Sequence, residues 1–162
     1  KMKILNFSEA KQVALDIVKH IEPIDRRDFF LVHSEKVGKV AKMIAQKMGI
    51  DDNIFEIAGW VHDIGYSKDL ENHADYAIPI LQELGYEVNE TLKDCILNHG
   101  NGKNPQTTEG KIFQLADKFS IFDSDVIEVI LKHGTFPLKA DDVNFLKMMS
   151  DKALKLLENY TK

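Results

Sequence analysis

The second predicted helix of this chain carries a histidine within its apolar stripe, which constrains both the fold and the chemistry of the core. Residues there recur at three- and four-residue steps, the spacing that places side chains on one face of an α-helix. The stripe comprises Phe30, His33, Val37, Val40, Ala41, Ile44 and Met48. Because a buried polar group without a partner costs free energy, His33 requires a partner inside the protein. The stripe therefore predicts a helical core with a polar site within it.

Helical spacing continues through almost the whole chain of 162 residues, and no alternating run of β-branched residues competes with it. Capping residues, glycines and prolines set the expected ends of the helices. Their predicted ranges are 8–22, 30–48, 54–61, 72–84, 89–99, 107–121, 123–134 and 140–160. Ser8 is the expected cap of the first helix, and Pro79 within the fourth predicts a kink or a late start. The sequence therefore predicts an all-α fold, with one compact multi-helix domain over residues 1–162.

Composition and charge favour an ordinary globular protein. The chain is 44% hydrophobic and 29% charged, and its net charge is -5 at pH 7. No basic face is expected to attract nucleic acid or an anionic membrane, and no apolar run approaches the length of a membrane-spanning helix. The single cysteine, Cys95, excludes an internal disulfide and fits a reducing compartment. We therefore expect a cytoplasmic protein with neither a membrane nor a nucleic-acid partner.

Ionisable side chains also fall on the predicted inward faces of five helices. The six candidates are His33, His62, Asp63, His73, His99 and Asp117. Asp117, for example, lies between Phe113 and Ile121 at four-residue steps. Metal coordination satisfies such buried donors, and mixed nitrogen and oxygen donors suit Fe, Mn, Co, Ni or Zn better than Ca. The sequence therefore predicts a site for one or two divalent transition-metal ions.

Some of these histidines also have a purely structural interpretation. A lone core histidine is more often hydrogen-bonded than metal-bound, so His73 and His99, each taken alone, remain open to that interpretation. His20 and His133 are predicted at the C-terminal ends of helices, where a cationic imidazole suits the helix dipole. We therefore leave His20 and His133 out of the site. The other four candidates together favour a metal site.

The ordered series of His33, then His62-Asp63-Ile64-Gly65, then Asp117 resembles the HD-domain superfamily of metal-dependent phosphohydrolases. His73 and His99 are similar to the additional ligands of its two-metal branch, which includes HD-type diadenosine tetraphosphate hydrolases and cyclic-dinucleotide phosphodiesterases. The resemblance covers about half of the chain, with a motif core at about 30–122. It implies an HD-domain fold and hydrolysis of a phosphoester or phosphoanhydride bond in a nucleotide or another small phosphorylated metabolite.

The resemblance also implies a role for each candidate residue. Asp63 would bridge two ions and serve as the catalytic residue. The remaining ligands of the first ion would be His33, His62 and Asp117, and those of the second His73 and His99. With a single ion, the last two histidines would instead bind phosphate or donate protons. The sequence does not choose among the metals, and it leaves the oligomeric state open.

The chain departs from the family pattern just after the motif. Many members carry a lysine directly after the motif glycine, whereas this chain has Tyr66 there. Lys68, two residues later, and Lys103, in the loop after His99, are the candidate substrate contacts in its place. A later Gly-Tyr-Pro motif, frequent in members that cleave cyclic dinucleotides, is absent from the sequence. Two rival functions stay open: a di-iron oxygenase on the same ligand set, and a nucleotide-sensing module without catalysis.

Overall fold

The computed structural model of the protein describes residues 1–51, 53–133 and 140–161. α-Helices dominate this part of the chain, which confirms the predicted all-α class. They are α1 (Phe7–Ile17), α2 (Arg26–Lys47), α3 (Ile54–Val61), α4 (His73–Glu83), α5 (Glu90–Leu97), α6 (Thr108–Phe119), α7 (Ser124–His133) and α8 (Ala140–Thr161). Short 3-10 turns follow α1, α3 and α6 at Val18–His20, Ile64–Ser67 and Ser120–Phe122.

A pair of two-residue strands is the element that the sequence did not predict. The strands β1 (Lys3–Ile4) and β2 (Tyr86–Glu87) are parallel, with Lys3 opposite Tyr86 and Ile4 opposite Glu87. Two residues are too few to show the alternating pattern from which strands are recognised. The pair links the start of the chain to the segment between α4 and α5.

The cap of the first helix was predicted wrongly. Asn6 caps α1 in place of Ser8, because its side-chain oxygen accepts a hydrogen bond from Glu9 N at 2.8 Å. The Glu9 side chain in turn accepts from Asn6 N at 3.4 Å, so the two residues form a capping box. The predicted caps of α5 and α6 are confirmed, since Asn89 accepts from Leu92 N and Thr107 from Gly110 N.

Several helix ends differ from the predicted positions by a few residues. α5 ends at Leu97, two residues before the predicted end, and α6 gives way to a 3-10 turn at Ser120. α4 begins at His73 and contains Pro79, so the alternative of a late start is wrong. The predicted end of the seventh helix, Gly134, lies outside the described residues. The earlier end of α5 matters because it places His99 in the loop beyond the helix.

The centre of the fold is α3, which is buried along nearly its whole length and packs against α1, α2 and α5. Gly59 allows α2 to approach α3 closely. A Cβ atom at Gly59 would lie 2.7 Å from Ser34 O and 2.8 Å from Gly38 Cα, which is closer than real Cβ atoms come. This close crossing brings His33 on α2 next to His62 at the end of α3.

Gly65 has a similar role one turn later. A Cβ atom there would overlap the backbone carbonyl of His73, so the 3-10 turn after α3 packs directly on the start of α4. This close approach requires a residue without a side chain at position 65. The contact holds Asp63 and His73 beside each other.

α7 and α8 pack near α2 through a second buried apolar cluster. Ile121, Val126 and Ile130 form its buried part, and side chains of α2 and α8 pack against it. Among the described residues, no helix combines the length and the apolar content that a membrane crossing would need.

Candidate metal centre

The structure brings all six predicted ligands together at one place in the core. Each comes from a different point of the fold, namely α2, the end of α3, the residue after it, the start of α4, the loop after α5, and α6. In that order they are His33, His62, Asp63, His73, His99 and Asp117. Their donor atoms form two groups, which share the carboxylate of Asp63.

Four side chains supply the first group. His33 Nε2 lies 3.3 Å from Asp63 Oδ2 and 3.1 Å from Asp117 Oδ1. His62 Nε2 lies 3.2 Å and 3.4 Å from the same two oxygens. The two nitrogens are 3.3 Å apart. Four donor atoms therefore converge from different directions on one small volume.

The second group uses the other oxygen of Asp63. Asp63 Oδ1 lies 3.1 Å from His73 Nε2 and 3.5 Å from His99 Nε2, and these two nitrogens are 3.3 Å apart. Donor atoms of His62, Asp63 and His99 also lie within 4.8 Å of one another, so the two groups adjoin. Asp63 is the only described residue whose carboxylate contributes an oxygen to each.

Backbone carbonyls orient two of the imidazoles. His62 Nδ1 donates to Gly59 O at 2.8 Å, and His99 Nδ1 donates to Ile96 O at 2.6 Å. A carbonyl oxygen can only accept, so the hydrogen of each ring must be on Nδ1. In a neutral ring Nε2 then carries a lone pair, which points into the donor groups. This arrangement is typical of metal-binding histidines.

A hydroxyl orients His33 in the same way. Ser120 Oγ lies 3.4 Å from His33 Nδ1 and donates its own hydrogen to Asp117 O at 3.0 Å, so it is free to accept from the ring. His73 differs, since its Nδ1 has no hydrogen-bond partner among the described residues. Its ring instead stacks on Tyr66, with the ring centroids 4.1 Å apart and the planes 15° from parallel.

The two carboxylates make this place attractive to positive charge. Burial acts to lower the pKa of His62, but the charge of Asp63 and the contact with Asp117 outweigh it and raise that pKa to about 10. The pKa of His33 is raised against its burial by the same two carboxylates. A field that stabilises an added proton on both rings would also stabilise a cation between them.

The donor atoms fit metal ions better than they fit one another. Asp63 Oδ1 is buried and accepts no hydrogen bond from the described residues, although His73 Nε2 lies only 3.1 Å away. Two pairs of imidazole Nε2 atoms lie 3.3 Å apart. In neutral rings these nitrogens would face each other with their lone pairs and could not hydrogen-bond to one another. Ligands bound about 2.0–2.2 Å from one ion lie roughly 3–3.6 Å apart, as these atoms do. Two carboxylates and four imidazoles also suit transition metals.

A cavity of about 390 Å³ opens onto the donor groups. Its polar wall includes Arg26 and Lys118, and its apolar wall includes Phe29, Phe145 and Met149. Lys118 is only 3% exposed; its ammonium donates to the carboxylate of Asp117 and, at 3.3 Å, to His99 O.

The sequence reasoning did not select Lys118 as a site residue. A lysine directly after an inward-facing aspartate is expected to point outward on an amphipathic helix. α6, however, is buried continuously from Ile112 to Lys118. The run of apolar residues around Asp117 was the signal that could have revealed this.

The two predicted substrate lysines lie elsewhere. Lys68 follows the 3-10 turn after α3 and is exposed, and it is not among the residues that line the cavity. Lys103 is also exposed and lines a neighbouring cleft instead. The structure therefore brings together the six ligand candidates, and neither lysine lines the cavity onto which they open.

Asp94 holds the loop that carries His99. Its carboxylate accepts from Thr107 N at 2.8 Å, from Thr107 Oγ1 at 2.6 Å and from Asn98 Nδ2 at 2.8 Å, which ties the end of α5 to the start of α6. Burial acts to raise the pKa of Asp94, but these hydrogen bonds outweigh it and lower the pKa below its usual value. The ionised carboxylate therefore stabilises the loop.

Asp94→Asn is expected to lower the free energy of unfolding at pH 7 by about 1–3 kcal/mol, because the amide cannot accept from all of these donors. Since the folded pKa is lowered, the contribution of Asp94 is present above the unfolded value of about 3.9 and is lost as the pH falls through the folded pKa. Urea unfolding of both proteins between pH 7 and pH 3 should show their difference shrinking. A difference that stays constant over this range would contradict the role given to the charge.

Comparison with known proteins agrees with this geometry. The HD domain family model matches residues 30–121, which contain all six ligand candidates. A deoxyguanosinetriphosphate triphosphohydrolase-like protein of Caldanaerobacter subterraneus is 26% identical over 119 residues, which are 62% of this chain and 35% of that protein. Ribonuclease Y of Thermoanaerobacter pseudethanolicus is 34% identical over 92 residues, 56% of this chain and 18% of that protein.

Ribonuclease Y of Mycoplasma mycoides is 28% identical over 125 residues, 74% of this chain and 24% of that protein. The chain thus spans about a third or less of the length of these relatives. No solved structure gives a significant match. The family model covers more than half of the chain, and the structure places its histidines and aspartates around one point. The chain therefore belongs to the HD domain family.

Proposed function

We propose that this protein is a metal-dependent phosphohydrolase that cleaves a phosphoester or phosphoanhydride bond in a nucleotide or another small phosphorylated metabolite. The observation that carries the proposal is the position of the Asp63 carboxylate, whose two oxygens face different donor groups. One oxygen faces His33 and His62, and the other faces His73 and His99. Residues of both donor groups line the same cavity, which is open to a substrate.

In this proposal Asp63 contributes to two ion positions. The other ligands of the first position are His33, His62 and Asp117, and those of the second are His73 and His99. Divalent ions held there would supply the positive charge that neutralises phosphate oxygens and activates water at neutral pH. The sequence resemblance to two-metal HD proteins supports the same assignment.

Further residues of the cavity would orient the substrate. The buried ammonium of Lys118 keeps the pKa of Asp117 well below its usual value, against the burial that acts to raise it, so that this carboxylate stays ionised. Arg26 lines the cavity and offers a cation to a phosphate group. The apolar wall of Phe29, Phe145 and Met149 suits a flat apolar group such as a nucleobase beside that phosphate.

The relatives suggest two kinds of substrate. One is named for hydrolysis of a deoxynucleoside triphosphate, which fits a small nucleotide. Two others are named as ribonucleases, which makes an RNA phosphodiester a second candidate even though the chain is acidic overall. Both candidate substrates present a phosphate group to the same donor groups, so the same hydrolysis is proposed for either of them.

The test is elemental analysis of the purified protein, followed by a screen of phosphorylated metabolites and a short RNA with Mn or Fe added. We expect one or two transition-metal ions per chain and metal-dependent release of phosphate or of a nucleotide. If protein that retains its ions cleaves none of these compounds, the proposal fails. Dioxygen consumption by such a preparation would replace it with the oxygenase alternative.

A further inference from the structure

A second cleft, of about 340 Å³, lies between the loop after α5 and the last turns of α8. Three lysines line it: Lys103 from the loop, and Lys152 and Lys155 from α8. The amides of Asn101, Gln114 and Asn159 complete most of its polar lining. We refer to this surface as the lysine cleft. Its residues are distant in sequence, and the fold alone brings them together.

The charge of the lysine cleft contrasts with that of the whole protein. The chain has 26 acidic and 21 basic residues, yet no carboxylate is among the described residues that line the cleft. None of its three lysines forms an ion pair within the described part of the chain. By contrast, Lys36 and Lys42 on α2 each pair with a carboxylate. Unpaired cations gathered in a concave surface attract anions.

The lysine cleft adjoins the cavity of the metal centre. Asn101 lines both the cleft and the cavity, so the two adjoin at the loop of residues 100–103. Gln114 fixes this loop, because its side-chain nitrogen donates to Gly100 O at 3.1 Å and to Lys103 O at 2.9 Å. A ligand in the cavity can therefore continue into the cleft across a loop that is held in place.

We propose that the lysine cleft binds a second phosphate group of the molecule whose first phosphate lies at the metal centre. The inference rests on the proposed phosphohydrolase function and narrows its substrate class to compounds with several phosphates. Such phosphates occur in the polyphosphate chain of a nucleotide and in the backbone of an oligonucleotide. Both present the same anionic oxygens to Lys103, Lys152 and Lys155, and they differ in how far apart the phosphates lie.

Calorimetric binding to metal-loaded protein at low salt tests this proposal directly. The probes are adenosine 5′-monophosphate, an adenosine triphosphate analogue with methylene groups in place of both bridging oxygens, and a phosphorothioate thymidine hexamer. The variant is Lys152→Ala/Lys155→Ala. The control is Lys47→Ala/Lys147→Ala, which changes the net charge equally at two exposed lysines outside the cleft, one of them on the same helix.

The cleft variant should bind at least one of the two multi-phosphate probes about five- to thirtyfold more weakly than the wild type, which is the effect of two partly exposed cations. Binding of the monophosphate should change by less than about twofold, and the control should match the wild type for every probe. A loss confined to the triphosphate analogue would identify a polyphosphate chain. A loss confined to the hexamer would identify a nucleic-acid backbone.

Three results would overturn the proposal. They are equal weakening of the monophosphate and the multi-phosphate probes, equal effects of the cleft variant and the control, and no binding of either multi-phosphate probe by the wild type. The proposed function is tested separately by hydrolysis. Selective loss of binding in a protein that hydrolyses nothing would support the cleft while rejecting the phosphohydrolase. Hydrolysis with unchanged binding in the cleft variant would reject the cleft alone.

Discussion

Asp63→Ala is expected to remove ions from both donor groups and to lower metal-dependent hydrolysis at least about a thousandfold, which corresponds to about 4 kcal/mol of barrier. The reason is the position of the carboxylate. Oδ2 lies within 3.3 Å of His33 Nε2 and His62 Nε2, while Oδ1 faces His73 and His99. Elemental analysis and the initial rate of hydrolysis, both on the purified variant, measure the two effects.

The control for this prediction is Asp63→Asn, which keeps the size of the side chain but removes its charge. Circular dichroism should show that both variants retain the helical content of the wild type, because the helices are stabilised mainly by their apolar core. A folded Asp63→Ala protein that kept the metal content of the wild type would show that Asp63 is not a shared ligand. Full activity of Asp63→Asn would argue against a charged ligand at this position.

Periodic features of the sequence were sufficient to predict most of the helices and the inward direction of the ligand candidates. His33 occupies a stripe that runs for about five turns along α2, so its burial follows from its neighbours. His62 and Asp63 directly follow α3, whose apolar residues point in nearly all directions and thereby indicate a central helix. Local pattern and tertiary burial agree at these positions, and sequence reasoning succeeds where they do.

Contacts between distant segments could not be predicted in this way. Phe145 and Met149 of α8 reach the cavity from about 30 residues beyond the last ligand candidate, and no local pattern marks them. Lys118 was not selected from the sequence, because its burial depends on helices that pack around α6 from other parts of the chain. Lys68 is close to the motif in sequence, but the structure places it on the surface and outside the lining of the cavity.

The two donor groups differ in how firmly the structure holds their ligands. The other three histidines of the site, His33, His62 and His99, donate from Nδ1 to an oxygen. His73 Nδ1 has no partner among the described residues. The side chain of His73 is also 19% exposed, compared with 10% or less for the other three histidines. Partners at the second ring nitrogen typically raise metal affinity about 10–100-fold. An ion in the second group should therefore bind more weakly than one in the first.

His73→Ala/His99→Ala is accordingly expected to lower the metal content from two ions per chain to about one, and the turnover number by on the order of a hundredfold. The first group should keep its ion, because its own ligands His33, His62 and Asp117 are all retained in the double variant. Elemental analysis after dialysis against a weak chelator measures the change, and His20→Ala, an exposed histidine after α1, is the matched control. If the well-folded double variant kept two ions, the second group would not be a metal site. His73 and His99 would then bind the phosphate or donate a proton beside a single ion, and the same variant would lose activity with unchanged metal content.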